Sequence, residues 1–180
     1  LFGVDTEYLI LTSVAFEESA ISFSQLHSEL IDEDYKLITK IIYTESITSG
    51  QITSEEIRSS ILEQINVSHK LKYLLLIGDE TIIPPIYYDG QSENPSDDFY
   101  SSQYKLSGIP QLSTGRIPVN DPLVALAISE KISNYILDPV FGSWRSKIAL
   151  IADDQHKNGI YETGELYHTK NSNKLYDYIQ

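Results

Sequence analysis

An uninterrupted apolar run, Tyr73-Leu74-Leu75-Leu76-Ile77, closed at once by Gly78-Asp79-Glu80, constrains this chain more than any other segment. A strand with one wetted face alternates apolar and polar residues. A run without that alternation suits a strand covered on both faces, as in a parallel sheet with helices on each side. Two further runs have the same form: Tyr8-Leu9-Ile10-Leu11-Thr12-Ser13, and Lys147-Ile148-Ala149-Leu150-Ile151-Ala152 followed by Asp153-Asp154. Open parallel sheets carry their binding and catalytic groups at the carboxyl ends of the strands. The small and acidic residues that close these runs are therefore the first place to look for chemistry.

The segments between the runs read as helices and one long loop, in the order strand, helix, strand, helix, strand, loop, strand, helix, strand, helix. A first helix is expected over 16–31, with Ile21, Phe23, Leu26, Leu30 and Ile31 as its buried stripe. A second strand covers 36–44. Thr53 with Glu56 three residues later forms a capping box, and the helix it opens turns Ile57, Ile61, Leu62 and Ile65 inward. Residues 86–112, rich in Tyr, Ser, Asp, Pro and Gly, form a loop long enough to suggest a functional role. A fourth strand is expected over 112–119. Pro122 then opens a helix to about 137, with Leu123, Leu126, Ala127, Glu130 and Ile132 in its amphipathic pattern. Residues 147–152 read as a fifth strand, and a last helix begins near Gly164. Strands alternating with helices imply right-handed parallel βαβ units.

Charge narrows the partners. Thirteen basic residues face 26 acidic ones, a net charge of -13 with pI near 4.6. Nucleic-acid backbones and anionic lipids both require Lys and Arg to neutralise phosphate, so neither is expected as a partner. Cys is absent, which removes disulfides, thiolate nucleophiles and cysteine metal sites. Met is absent as well. Leu1 is therefore not read as a native start, and the chain is expected to be a processed or excised part of something longer. No run approaches the ~18 uncharged apolar residues of a membrane span. The first 13 residues lack the basic start of a signal peptide.

Four groups of residues could carry chemistry. Asp79 reads either as a carboxylate aimed into the crevice or as a turn residue capping the next segment. Asp153-Asp154 reads as a cation-binding or imidazole-orienting pair, or as a solvated turn. Ser96-Asp97-Asp98, in the long loop, could hold a structural calcium, place the loop across the crevice, or form a polar turn. Arg116, between Gly115 and Ile117, is better placed to lock the long loop through a bidentate carboxylate pair than to bind substrate. His27, His69, His156 and His168 stand in no metal-binding spacing. Neither a nucleophile elbow nor a phosphate-binding glycine loop is present. A phosphoacceptor receiver-like domain, suggested by Asp79, requires acids after the first strand, where Thr12-Ser13 stand.

Read together and in order, several segments resemble the gingipain-type cysteine peptidases. They are Tyr73-Leu74-Leu75-Leu76-Ile77-Gly78-Asp79 with Ile83-Pro84, Ser96-Asp97-Asp98-Phe99-Tyr100, Gly115-Arg116-Ile117-Pro118-Val119, Lys131-Ile132 with Tyr135, and Trp144 with Ile151-Ala152-Asp153-Asp154. The likeness is greatest to the sortase-like member that acts in bacterial type IX secretion. It implies an α/β, caspase-like fold: a mostly parallel sheet flanked by helices on both faces. Residues 1–142 would form the first subdomain, and 143–180 the opening strand and helix of the second, catalytic one. The implied activity is that of a cysteine endopeptidase or transpeptidase processing secreted proteins, with a Cys–His dyad contributed by polypeptide beyond Gln180. Asp154, or failing it Asp153, would orient the dyad imidazole, and Glu165 would bind substrate. No cofactor is implied beyond a possible structural calcium without assigned ligands. Implied partners are a polypeptide substrate, the rest of the catalytic domain and outer-membrane secretion components, at the bacterial surface or outside the cell. The competing expectation is a non-catalytic caspase-like interaction module that works through the 86–112 loop.

Overall fold

A computed structural model describes residues 5–87, 95–102, 109–152, 156–157, 160–161 and 166–179. The chain divides into two compact units, Leu1–Pro139 and Val140–Gln180.

The first unit is built on four strands, β1 (Tyr8–Thr12), β2 (Thr39–Tyr43), β3 (Tyr73–Ile77) and β6 (Ser113–Ile117), in the order β2-β1-β3-β6. Every neighbouring pair is parallel. The first apolar run behaves as a strand covered on both faces, every residue of β1 being buried, and β3 buries Leu74, Leu76 and Ile77 while Tyr73 at its start is exposed. On one face, Leu9, Leu11, Leu74 and Leu76 pack with Ile57 and Ile61 of α3 (Ser54–Val67) and with Ile83, Tyr100 and Leu112. On the other, Tyr8, Ile10, Ile77 and Ile117 pack with Phe16, with Ala20 and Phe23 of α1 (Glu17–Gln25), and with Ala125 of α4 (Pro122–Leu137). Alternation along each strand assigns these side chains to the two faces. Helices α1 and α4 meet through small residues, and the buried Ser19 hydroxyl donates to the Ala125 carbonyl at 3.1 Å.

Local chemistry explains the element ends. The capping box on α3 forms as expected: Thr53 Oγ1 accepts from the Glu56 amide, and Glu56 accepts from the Thr53 amide at 2.9 Å. Asp121 caps α4, accepting from Leu123 and Val124 just ahead of Pro122 at the first helical position. The first helix is shorter than expected. After Gln25 it continues as a π-helical turn over Leu26–Leu30, closed by the Ile31 amide on the Leu26 carbonyl at 3.2 Å. A short helix α2 (Thr44–Ile47) follows β2, and a small antiparallel ribbon joins β4 (Ile86–Tyr87) to β5 (Pro95–Ser96) inside the long loop.

Two expected stripes are offset. Of the first stripe, Phe23 and Leu26 are buried as expected, but Ile21 of α1 and Leu30 of the π-helical turn are exposed, and Ser19 and Ala20 are buried. In α4, Leu123 is 77% exposed, while Ala125 and Ser129 are buried. The reason is steric: where α1 and α4 approach closely, at Ser19 and Ala125, only small residues fit, while Phe23 fills space against the sheet.

The second unit holds a helical turn (Ser143–Ser146), the short antiparallel strands β7 (His156–Lys157) and β8 (Ile160–Tyr161), and α5 (Leu166–Ile179). Residues 147–152, expected as a fifth strand, carry no regular structure, and Ile148 and Ile151 are 67% and 93% exposed. An apolar run becomes a strand only where a ladder partner completes its hydrogen bonds. Among the described residues none pairs with it.

Candidate functional site at the carboxyl rim

The parallel register places Thr12 beside Tyr43 and Ile77, and Ile77 beside Ile117. Four strands therefore end in one row, and the residues that follow them form a common rim.

Gly78 makes the turn off β3 with a φ of 145°, a region that L side chains rarely occupy. A Cβ there would lie 2.9 Å from Ile82 Cγ2. The turn returns the backbone to β6: the Gly78 amide donates to Ile117 and the Asp79 amide to Val119. The Asp79 carboxylate accepts from the Thr81 amide at 2.9 Å and from its hydroxyl at 2.6 Å. Of the two readings of Asp79, the structure shows the turn cap. The Thr81 hydrogen bond is the main cause of an Asp79 carboxyl pKa below the ordinary range.

Arg116 is the organising residue of the rim. Its Nε and Nη2 donate to the two carboxylate oxygens of Asp97 at 2.8 and 2.7 Å. Its Nη1 donates to the carbonyls of Gly78 at 2.8 Å and Ile83 at 3.0 Å. One side chain thus fastens the long loop and the turn after β3 to β6, the locking role expected for it. Burial pulls the guanidinium pKa down, but the hydrogen bonds and charge of Asp97 outweigh it, and the net shift is upward. Tyr100, buried beneath the loop, donates its hydroxyl to the Pro84 carbonyl; burial raises its pKa.

On the β1 and β2 side, Ser13 Oγ donates to Glu45 Oε1 at 2.5 Å, and the Val14 amide donates to Glu45 Oε2 at 3.0 Å. Burial raises the Glu45 pKa, but hydrogen bonds from Ser13, its own amide, Val14 and Thr44 prevail and lower it. The sequence reading missed Glu45, although an acid two residues past a strand end was a visible signal. It also missed Arg58 of α3, which donates to the carbonyls of Phe99 at 2.9 Å and Ser102 at 2.7 Å and clamps the loop from below.

Asp153, Asp154 and Glu165 lie outside the described residues. His27 lies at the opposite, amino end of the strands, against Tyr8. Among the described residues, no cluster of three His, Asp or Glu side chains could hold a metal, and Asp97 is committed to Arg116. The rim therefore combines a narrow cleft of about 360 Å³, lined in part by Glu80, Tyr87, Asp97 and Arg116, with a fixed scaffold. Neither a nucleophile–base pair nor an imidazole is described there.

Solved structures share the fold. The Arg-specific cysteine proteinase gingipain R is 18% identical with a TM-score of 0.54, over 73% of this chain and 29% of that one. The complex of the RgpB pro- and mature domains from Porphyromonas gingivalis is 19% identical with a TM-score of 0.55, over 72% and 29%. Dimeric latent PorU from Porphyromonas gingivalis is 14% identical with a TM-score of 0.57, over 79% and 17%. The chain thus spans less than a third of the length of each. At these identities the likeness shows the fold, which is the caspase-like α/β type implied by the sequence. No curated protein matches the sequence. The model of one peptidase family, however, runs through the rim, the loop and the second unit alike, matching residues 3–179, and on that match the chain belongs to peptidase family C25.

Proposed function

We propose that this chain is the first α/β subdomain, with the opening of the second, of a gingipain-type cysteine endopeptidase or transpeptidase that processes secreted proteins. The family match over residues 3–179 carries the reading. The sequence contains no Cys, so the thiolate nucleophile belongs to other polypeptide, as does the dyad imidazole. The contribution of this chain is positional. The Arg116–Asp97 pair and the Arg58 clamp hold the long loop at the carboxyl rim, where a substrate strand would lie. Asp154, or Asp153, would fix the tautomer of the imidazole and stabilise imidazolium, and Glu165 would contact substrate. The chemistry requires no cofactor. A structural calcium, if present, has no assigned ligands. Expected partners are the rest of the catalytic domain, polypeptide substrate and outer-membrane secretion components, at the cell surface or outside it. No helix among the described residues is long and apolar enough to cross a membrane.

The second reading, a non-catalytic module that binds a partner through residues 86–112, draws on the same loop anchors. The two are separated by treating the 180-residue chain and the whole gene product with a peptidyl thiol-directed acylating probe. The enzyme reading expects no adduct on the chain and a single Cys adduct on the whole product, with peptide cleavage by the latter only. A whole product that folds, takes no probe and cleaves nothing favours the module.

A further inference from the structure

Strand β2 is the last of its row: it pairs with β1 and, among the described residues, with nothing on its other side. Residues along a parallel strand turn their N–H and C=O alternately to its two sides. The Tyr8 amide donates to the Ile38 carbonyl at 3.2 Å, so Lys40 and Ile42 face β1, while Thr39, Ile41 and Tyr43 present their backbone groups outward. The Tyr43 carbonyl accepts from Ser46 Oγ at 2.6 Å. The backbone groups of Thr39 and Ile41 meet no ladder partner among the described residues. Sheet edges are ordinarily blunted by a bulge, a proline, a charge or a covering element, because an open edge templates another strand. β2 keeps a continuous register with β1 and contains no proline. Its one charge is turned aside: the Lys40 amine donates to Gln64 Oε1 of α3 at 2.6 Å.

Alongside this edge runs an open groove of about 830 Å³, walled by Ile42 and Ile47 and, from α3, by Glu55, Glu56 and Glu63. Those three carboxylates face one amine there, that of Lys40. On the other face of the strand a further carboxylate, Glu17, accepts from the Tyr43 hydroxyl at 3.1 Å. We infer that the free edge of β2 takes an extended, cationic segment of a second, different polypeptide as an added strand. Main-chain bonds to a sheet edge give such a complex its affinity, and side chains at alternate positions give it specificity. The edge offers roughly 16 Å, about five residues of extended chain. Alternate side chains of the incoming segment lie over the groove, where Lys or Arg meets the α3 carboxylates. A second copy of this chain is a poor occupant. Pairing edge to edge would bring the same carboxylates together from two chains that each carry a net charge of -13, and like charges across an interface oppose association. The inference is independent of the chemistry proposed for the carboxyl rim.

The test is an NMR titration of the isotopically labelled 180-residue chain with acetyl-Lys-Val-Lys-Val-Lys-amide, its Glu-for-Lys counterpart, and the Lys peptide N-methylated at every backbone amide. The Lys peptide is expected to shift the Ile41 amide and slow its hydrogen exchange. It should bind about tenfold more tightly than the N-methylated form, the worth of two hydrogen bonds, and more tightly than the Glu peptide. Ile41→Pro removes an outward N–H at an edge, where proline is tolerated; it should keep the fold and lose the binding. Glu63→Gln should weaken binding about threefold and Lys40→Glu tighten it about threefold, the worth of one exposed charge pair. An Ile41 amide unmoved at millimolar Lys peptide overturns the site. An N-methylated peptide that binds as tightly overturns the added strand, and a Glu peptide that does so overturns the cationic occupant. Dimerisation of the chain that Ile41→Pro abolishes overturns the foreign occupant in favour of a second copy. A whole gene product that does not bind the Lys peptide overturns the separate source, since its own polypeptide then holds the edge.

Discussion

Arg116 shows how much one side chain can decide. It is largely buried, with a side-chain exposure of 14%, and its charge is matched by Asp97. Breaking a buried pair from one side leaves an uncompensated charge and lost hydrogen bonds, typically about 3 kcal/mol. Arg116→Ala, which leaves Asp97 without its cation, is expected to lose about 3 kcal/mol by urea denaturation, and Arg116→Lys, which keeps the charge but not the planar fork, to restore only part of it; an unchanged midpoint for Arg116→Ala would refute the locking role. His27 gives a pH signature. Burial lowers its pKa, so the folded state favours neutral imidazole while the unfolded chain protonates near the usual value of about 6.5. The stability that depends on this is present above that value and lost as pH falls through it towards the folded pKa. His27→Gln should accordingly flatten the fall in Tm between neutral and mildly acidic pH, whereas an identical fall in both proteins contradicts the assignment. Of these two residues the sequence made only Arg116 legible. An Arg inside a strand beside a glycine and downstream of a run of acids has few other uses. The setting of His27 depends on a chain return after the first helix, where the Leu37 amide donates to the His27 carbonyl, and no local pattern announces that.

At the scale of elements, strands were easier to read than helix faces. An uninterrupted apolar run states much of its environment: β1 is buried throughout, and β3 buries Leu74, Leu76 and Ile77 but not Tyr73. The capping box on α3 was equally plain, because it involves only residues three apart. The stripes of α1 and α4 were placed only in part, with Phe23 and Leu26 inside as read, because hydrophobicity does not mark the line where two helices touch; small size does. Ala125→Leu should therefore overpack the contact with Ser19 and cost about 2 kcal/mol. Leu123→Ala, at a site that the sequence pattern places inside, should change stability by less than about 0.5 kcal/mol. Equal losses from the two substitutions, measured in the same denaturant series, would show that the stripe had been set correctly from the sequence. Residues 147–152 mark the remaining limit. The run has the composition of a buried strand, but burial requires a neighbour, and the neighbour is not encoded in the run itself.

For the whole molecule, the parallel order β2-β1-β3-β6 does the organising. It lines up Glu45, the Asp79 turn and the Arg116–Asp97 lock along one rim. The fold class could be read from the two apolar runs that became β1 and β3 and from the helices that alternate with the strands. The constellation proposed for the whole gene product could not, because this chain contains no Cys from which a thiolate could come. The central claim is that residues 1–180 position a dyad they do not contain. The most direct test is mass-spectrometric mapping of a peptidyl acyloxymethyl ketone on the whole gene product and on its Asp154→Ala variant. The account predicts one labelled Cys outside residues 1–180 and slower labelling in the variant with unchanged Tm. Adduct formation within residues 1–180, or peptide cleavage by a product without a labelled Cys, would contradict it.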